Sequence, residues 1–267
     1  MRHFRRFDLV EVACLGGLLL MFGFGAGRAF VLNYHDSFVP RKDLSWLHER
    51  YGPDKWSENA EEWLVRDFFQ DARNGTFVDV GSAHARVGSN TYALESRLGW
   101  SGIAVDALAE YAASYTEYRP RTKFFSLFVS DHSEERATVY VLNRYEQYAS
   151  ASKDFTARYT PEVPVPRDVS TITLNDLLTA ASIDSIDFMS IDIELSEPKA
   201  LSGFDIERYR PRLVCIEAHP ETRQAILNYF AGKGYVVVGK YLRLDNTNVW
   251  FMPAGSVSRA SNASLRR

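Results

Sequence analysis

Three ionisable residues follow two short apolar runs in the second half of the chain. Asp192 follows the run at 186–191, and Glu217 and His219 follow the run at 212–216. If both runs are neighbouring strands of an open parallel sheet, their carboxyl ends meet at one crevice. The group could remove a proton from a hydroxyl, with His219 best matched to neutral pH. Alternatively, Asp192 and Glu217 could hold a hard divalent cation such as Mg²⁺ through oxygen ligands.

A structural role for the acids in this region is also consistent with the sequence. Glu194 and Glu197 follow Asp192, and Pro198 comes directly after Glu197. A carboxylate at a helix start and a proline at the next position are typical of the first turn. The acids therefore either serve chemistry or cap the helices that follow the strands.

A second group of candidate residues lies between 76 and 106. Residues 76–80 are typical of an apolar strand followed by Gly81, a helix is predicted over 89–98, and a second strand over 102–105 ends at Asp106. The glycine lets backbone approach a ligand, and the final carboxylate can accept hydrogen bonds from ribose hydroxyls. A full Gly-x-Gly-x-x-Gly is absent, which favours an adenosine-type ligand without a pyrophosphate over NAD. The same pattern also serves plain strand–helix–strand packing.

The elements that must position these residues alternate along the chain. The apolar runs predict five more core strands, at 123–129, 186–191, 212–216, 235–238 and 248–252. Helices are predicted after Ser57 as N-cap, with Glu61 and Glu62 in the first turn, and at 174–181, 197–201 and 221–233, with Gly234 following. The alternation predicts a doubly wound, mostly parallel seven-stranded α/β sheet of the Rossmann-like kind.

One irregular segment interrupts this alternation. Residues 143–168 carry several tyrosines and three prolines without a clear period, between shorter predicted strands at 137–142 and 169–174. Loops near the ligand side of such sheets carry specificity, so the segment either faces the substrate or covers sheet edges as a surface loop.

Composition excludes some classes of protein. The chain has 267 residues, of which 46% are hydrophobic and 24% charged, enough for one large α/β domain. A net charge of −3 without a basic stripe argues against nucleic acid as a partner. The two cysteines, Cys14 and Cys215, lie in an apolar run and a predicted buried strand, and neither a disulfide nor a zinc site is expected.

The N-terminal segment, residues 1–33, is predicted to be a hydrophobic helix that anchors the chain in a membrane through residues 9–32. The 16 uncharged residues at 12–27 fall short of the roughly 20 that cross a bilayer, but a snorkelling Arg28 would extend the span. A cleaved signal peptide and an interfacial helix are the alternatives. Gly23 and Gly27 have a small-xxx-small spacing that could pair two such helices in a homodimer.

Three further regions complete the domain plan: a helical lead-in at 34–75, the α/β domain at 76–253 and a disordered tail at 254–267.

The chain resembles the FkbM-type S-adenosylmethionine-dependent methyltransferases over roughly residues 50–252. Five blocks carry the resemblance in order: FVDVGS at 77–82, SNTYALESRLGWSGIAVDA at 89–107, VSTITLNDLL at 169–178, IDFMSIDIELSEPKALSGFD at 186–205 and PRLVCIEAH at 211–219. The resemblance implies a class I methyltransferase fold, S-adenosylmethionine as cofactor, and O-methylation of hydroxyls on sugars, glycolipids or polyketides.

The resemblance also implies roles for individual residues. Asp79 and Gly81 would border the methionine end of the cofactor, and Asp106 its ribose. Asp192, at the end of the fourth strand, lies where such enzymes often place catalytic or metal-binding groups. Ser89 and Asn90, at the start of the first helix, and Ser130, after the third strand, complete the expected cofactor-binding set.

Three departures from the family pattern matter for the site. His84-Ala85 stands where the family usually has Asp-Gly, Asp106-Ala107 where it has Glu-Pro, and Leu195 where it has a glycine. An alanine in the cofactor turn would be strained at positive φ. His84 is either a second candidate base or a solvent-facing loop residue.

Two other functions compete with a membrane-anchored O-methyltransferase that acts on a small or lipid-linked acceptor. A methyltransferase-like membrane protein without activity could serve as a binding or trafficking adaptor, which the altered turn and Leu195 favour. Arg2, Arg5 and Arg6 favour a domain on the far side of the membrane, whereas the cofactor supply and the lack of disulfides favour the cytosol. A nucleotide-sugar or other adenosine-type binding enzyme has the same fold.

Overall fold

The computed structural model describes residues 44–158 and 161–256. The predicted anchor at 1–33, Tyr159 of the irregular segment and most of the predicted tail at 254–267 lie outside the described residues. Within the described ranges, no helix has the length and apolar character needed to span a bilayer.

A seven-stranded sheet forms the centre of the described domain. Its strands are β1 (Thr76–Val80), β2 (Ser101–Asp106), β3 (Thr122–Ser126), β7 (Phe188–Ile191), β8 (Leu213–Glu217), β9 (Tyr235–Val237) and β10 (Asn248–Pro253). Their spatial order is β3-β2-β1-β7-β8-β10-β9, and only β10 runs against its neighbours. The predicted mostly parallel seven-stranded α/β fold is confirmed.

A smaller sheet accompanies the first one. It contains β4 (Phe128–Val129), β6 (Val165–Ile172) and β5 (Arg136–Val141), in that order. The sequence predicted a single strand over 123–129, which is wrong because the chain changes sheets at Leu127. The Leu127 N–H donates to the Asp106 carbonyl at 2.9 Å, and the next two residues pair with β6 instead.

Nine α-helices lie in the described part of the chain. They are α1 (Ser45–Tyr51), α2 (Glu61–Phe69), α3 (Tyr92–Leu98), α4 (Ala112–Tyr118), α5 (Lys153–Thr156), α6 (Leu174–Ala181), α7 (Glu197–Ser202), α8 (Ile206–Tyr209) and α9 (Arg223–Gly232). Gly234 has φ +72° after α9, as its predicted role beyond the helix end requires.

Two predicted helix starts are corrected. Ser57 is not the N-cap of α2, because its hydroxyl donates to the Glu62 carboxylate and the helix begins only at Glu61. The helix predicted from Ser89 begins at Tyr92, because the Ser89 hydroxyl instead accepts the Tyr92 N–H at 3.1 Å. Both serines stabilise the approach to a helix from outside it.

Apolar side chains on the two faces of the sheet form two cores. On one face, Val78 and Val80 pack in the cluster that contains α6 and α9 residues; on the other, Phe77 packs with residues of α2 and α3. Because strand side chains alternate, Asp79 falls on the Phe77 face and points toward the α3 side. The core therefore decides which way the polar residue of β1 faces.

Candidate active site

A cavity of about 780 Å³ opens at the carboxyl edge of β1, β7 and β8. Residues from the first half of the chain and from the strand ends of the second half line it together. The predicted site residues in its lining are Asp79, Gly81, His84, Asn90, Asp192 and Glu217. Residues of the irregular segment also line it, namely Asn143, Arg144, Glu146, Gln147 and Tyr148. The ends of parallel strands thus converge as the topology requires.

The turn after β1 depends on the absence of a side chain at Gly81. Its φ is +75°, and a Cβ placed there would lie 1.6 Å from the Asp192 carbonyl oxygen. The backbone after β1 therefore passes directly against the backbone after β7. This close approach brings the predicted cofactor turn beside the predicted catalytic acids.

Asp79 is buried and belongs to a network that the sequence did not reveal. The Thr91 hydroxyl donates to Asp79 Oδ2 at 2.6 Å. Arg119 is 1% exposed, and its Nη2 donates to that Thr91 hydroxyl at 3.0 Å. Its Nε donates to Glu95 Oε2 at 2.8 Å, and its Nη1 donates to the Ala85 carbonyl at 2.9 Å. Burial raises the pKa of Asp79, which Thr91 and Arg119 partly oppose. No sequence signal marked Arg119, since its partners come from separate segments.

Asp106 is the last residue of β2 and lies outside the lining of the large cavity. Its carboxylate accepts the Ala83 N–H at 3.0 Å and the Leu108 N–H at 2.9 Å. Desolvation raises its pKa to about 6 against these hydrogen bonds. Asp106 lines a second cavity of about 40 Å³ that shares Gly81 and other residues with the large one. Asp106, the residue predicted to bind the ribose, therefore lies beside the large cavity and not in its lining.

The other three predicted cofactor residues have different surroundings. Asn90 lines the large cavity and donates from Nδ2 to Ser190 Oγ at 2.9 Å. Ser89 is buried and accepts backbone N–H groups at the start of α3. Ser130 lies outside the linings of both cavities: its hydroxyl donates to Asp131 at 3.0 Å, and a Cβ on Gly203 would lie 2.8 Å from its carbonyl oxygen.

The ends of β7 and β8 bring together an acid–histidine cluster, which we define as Glu194, Glu217 and His219. The His219 Nε2 atom lies 2.9 Å from Glu217 Oε2 and 3.3 Å from Glu194 Oε2. Asp192 is close enough to Glu217 for the two carboxyls to perturb each other. The structure thus brings the three predicted catalytic residues to one place and adds Glu194, which the sequence showed only as one of the acids after a strand.

The pKa values of Asp192 and of two residues of the cluster are shifted by burial and by neighbouring charges. The close Glu194 and Glu217 carboxylates raise the pKa of His219 to about 10, so the imidazole is held protonated at neutral pH. Burial raises the pKa of Glu194 to about 7, although His219 opposes the shift. Burial and the neighbouring acids raise the pKa of Asp192 well above its usual range. In this arrangement His219 differs from the expected neutral base, and an ionised carboxylate of the cluster is the candidate proton acceptor.

The surrounding turns show what the departures from the family pattern do. Leu195, where a glycine is usual, has φ +77° directly after Glu194 at φ +52°. Ala85 has no positive φ, so the predicted strain there is absent; Ala83 has φ +45° instead. His84 lines the cavity, and its Nδ1 accepts the Arg86 and Val87 N–H groups at 3.2 Å.

Glu197 serves the turn that carries Glu194. It is the first residue of α7, with Pro198 next, and its Oε1 accepts the Ile193 N–H at 3.1 Å. This is the helix-start role that the sequence predicted as the structural alternative.

The chain matches a known family, and solved structures of methyltransferases are among those similar to it. A family model described as the methyltransferase FkbM domain matches residues 79–237. The structure of a proposed RNA methyltransferase from Pyrococcus horikoshii is 15% identical and covers 70% of this chain and 74% of its own, with a TM-score of 0.36. Precorrin-6y C5,15-methyltransferase from Geobacter metallireducens is 10% identical, with 71% and 78% coverage and a TM-score of 0.37. No curated protein matches the chain significantly.

Proposed function

The chain belongs to the FkbM methyltransferase family, and from this premise we propose that it transfers a methyl group from S-adenosylmethionine to a hydroxyl of a sugar, glycolipid or polyketide-like acceptor. One observation carries the proposal. The glycine turn after β1 touches the backbone at Asp192, so the turn that would hold the cofactor and the carboxylates that would take a proton face one cavity.

The residues present fit the cofactor. Gly81 leaves room where a Cβ would collide, and Asp79 and Asn90 line the adjoining wall. Asp106 has two carboxylate oxygens that each use one backbone donor and can accept a further hydrogen bond from a ribose hydroxyl. When bound, the cofactor supplies an electrophilic methyl group on a sulfonium. The remaining work of this chain is alignment and proton removal.

The rest of the cavity suits a polar acceptor. Its lining includes the aromatic side chains of Trp56, Tyr111 and Tyr148 and the amides of Asn59, Asn143, Gln147 and Asn248. Aromatic faces pack against the apolar face of a sugar ring, while amides donate to and accept from hydroxyls. This combination supports a hydroxylated acceptor of the sugar type.

Proton removal falls to the carboxylates at the strand ends. Asp192, Glu194 and Glu217 all line the cavity, beside the turn that contains Gly81. A carboxylate within hydrogen-bond reach of the acceptor hydroxyl can accept its proton as the oxygen attacks. His219, held against two of these acids, orients them and balances their charge.

A calorimetric titration of the purified full-length chain with S-adenosylmethionine tests the proposal. We expect micromolar binding by the wild type, and Asp106→Ala to weaken it by at least about tenfold because two ribose hydrogen bonds are lost. Asp184→Ala, which removes an exposed carboxylate outside both cavities, is the matched control. Failure of the folded wild type to bind the cofactor would sink the enzyme proposal.

We also propose that residues 9–32 anchor the protein in a membrane, which would place the domain near lipid-linked acceptors. The support is the uncharged run at 12–27 with Arg28 at its end. Pairing through Gly23 and Gly27 would make the anchored form a homodimer.

A further inference from the structure

Three side chains with metal-binding atoms meet in the acid–histidine cluster. Glu194, Glu217 and His219 each offer one ligand atom, and these atoms lie within 4.8 Å of one another. They come from the turn after β7 and from the end of β8, which neighbouring parallel strands hold at fixed separation. One imidazole nitrogen and two carboxylate oxygens at this spacing can face a single cation.

Glu217 supplies a second observation, independent of the spacing. Its side chain is 9% exposed, and its Oε2 atom is buried without a hydrogen-bond partner among the described residues. The 2.9 Å contact with His219 Nε2 is an ion-pair distance without hydrogen-bond alignment. In the metal-free protein the His219 imidazolium is the charge partner of this oxygen, and a bound cation would take over that role.

Two of the three ligand residues are held in place by their surroundings. The buried Ser150 hydroxyl donates to the Glu194 backbone carbonyl at 2.6 Å. Phe155 packs edge-on against the His219 ring, with 4.8 Å between ring centroids. These contacts fix the backbone of Glu194 and the plane of the imidazole without occupying the carboxylate oxygens or Nε2.

The donor set distinguishes between cations. Mg²⁺ prefers octahedral oxygen ligands, whereas imidazole with carboxylates suits Zn²⁺ and similar divalent ions. The Mg²⁺ site expected from Asp192 and Glu217 stays a prediction, whereas the imidazole beside Glu217 makes the cluster better suited to a cation that accepts nitrogen ligands.

We propose that Glu194, Glu217 and His219 bind a divalent transition-metal cation of the Zn²⁺ or Mn²⁺ kind rather than Mg²⁺, and that the His219 imidazole releases its proton to solvent as the cation binds. The site lies in the cavity of the proposed methyl transfer, and its role in that reaction rests on the proposed function. An acceptor hydroxyl coordinated there would lose its proton more readily to a neighbouring carboxylate such as Asp192.

Calorimetric titration of the metal-free, full-length chain with ZnCl₂, MnCl₂ and MgCl₂ tests the site. We expect one Zn²⁺ or Mn²⁺ per chain, with Mg²⁺ weaker by at least about 100-fold because an imidazole ligand suits it poorly. Glu217→Gln and His219→Gln should each lower the Zn²⁺ affinity at least about 100-fold, more than the loss of an outer-shell partner would. Asp184→Asn, which changes an exposed carboxylate outside both cavities, should retain wild-type affinity.

Circular dichroism of each variant establishes that it is folded. Three results would overturn the metal site: no Zn²⁺ or Mn²⁺ binding by the folded wild type, binding that survives both cluster substitutions, or equal affinity for Mg²⁺. Titration of the same samples with S-adenosylmethionine separates the two proposals. Cofactor binding without metal binding overturns only the metal site, and metal binding without cofactor binding overturns only the methyl-transfer proposal.

Discussion

Single residues decide the geometry of the cavity wall, and Gly81 is the clearest case. Its positive φ and its contact with the Asp192 carbonyl both exclude a side chain. Gly88 has nearly the same backbone conformation, φ +76°, but nothing lies within 4 Å of a Cβ placed there. The two glycines therefore separate the effect of backbone strain from that of steric collision.

We expect Gly81→Ala to lower stability and abolish cofactor binding, because the new methyl group forces β1 and β7 apart at the cavity. Gly88→Ala should cost only the strain of about 1 kcal/mol that positive φ imposes on alanine. Thermal unfolding and calorimetric titration of both variants give the comparison. Equal losses of stability and cofactor affinity would contradict the steric account.

The raised pKa of Asp106 predicts a pH dependence of cofactor affinity. Desolvation raises the pKa to about 6, the Leu108 and Ala83 N–H groups oppose the shift, and the neighbouring Asp79 carboxylate adds to it. Ribose hydroxyls donate to the ionised carboxylate, so affinity should rise as pH increases through about 6 and level off above it. Stability of the free protein has the opposite sign: the contribution of protonated Asp106 is present at low pH and lost as pH rises through about 6.

Calorimetric titrations from about pH 5 to about pH 8 measure this dependence. Asp106→Asn cannot ionise and should bind weakly, with little change over the same range. A wild-type affinity that stays constant across the range would show that the Asp106 carboxylate does not hold the cofactor.

At the scale of elements, α4 positions Arg119, the residue that directly follows the helix. Arg119 joins the loop before α3, through Ala85, to Glu95 of α3 and to Thr91, which holds Asp79. Because Arg119 is buried, water cannot take over its hydrogen bonds to these partners when the side chain is removed. The cofactor turn is thus held from the far end of a separate helix.

Arg119→Met should lower the free energy of unfolding by about 3–5 kcal/mol, because it leaves the buried Glu95 carboxylate without its partner. Arg121→Met removes an exposed arginine that donates to the Gly99 carbonyl, and should cost below about 1.5 kcal/mol. Urea denaturation followed by circular dichroism gives both values. A loss for Arg119→Met no larger than for Arg121→Met would refute the organising role.

The segment at 143–149 closes the space beside Asp106. Glu146 and Gln147 line both cavities, and the one that contains Asp106 measures only about 40 Å³. Ligand pockets are typically about 300–1,000 Å³, so an adenosine at Asp106 requires this segment to move. The irregular segment of the sequence therefore lines the candidate site, and its contact with a substrate stays a prediction.

Hydrogen exchange with and without S-adenosylmethionine tests that movement. We expect the amides of 143–149 to change their exchange rates when the cofactor is bound. The amides of α9, which lines neither cavity, should keep their rates. Unchanged rates at 143–149 in a cofactor-saturated sample would show that the cofactor binds without displacing the segment.

At the scale of the whole molecule, the proposed anchor at residues 9–32 predicts that the protein is retained in membranes, whatever the activity of the α/β domain. The full-length chain should remain in the membrane fraction after carbonate extraction, because residues 9–32 would lie in the hydrocarbon core. Leu18→Lys combined with Leu20→Lys should release it, since each central lysine costs about 2.5–3.5 kcal/mol. Ser258→Lys, in the tail, is the matched control. Release of the wild type by carbonate would contradict the anchor.

Local patterns were enough to predict most strands of the parallel sheet and the candidate site residues at its edge. Apolar runs of strand length bounded by Gly81, Asp106, Asp192 and Glu217 were sufficient, because buried parallel strands must be apolar and their ends are where polar residues can face a ligand. Helix starts were less accurate, since Ser57 and Ser89 lie before the helices and bond to Glu62 and Tyr92 in the first turns.

The contacts that those residues make could not be predicted before the fold was known. Arg119 and Ser150 carry no local signal, because their partners come from distant segments. The protonated state of His219 depends on Glu194 and Glu217, which reach it across two strand ends. The positions of strands and helices follow local propensity and the hydrophobic pattern, whereas hydrogen-bond partners and pKa values follow distances that exist only after the chain has folded.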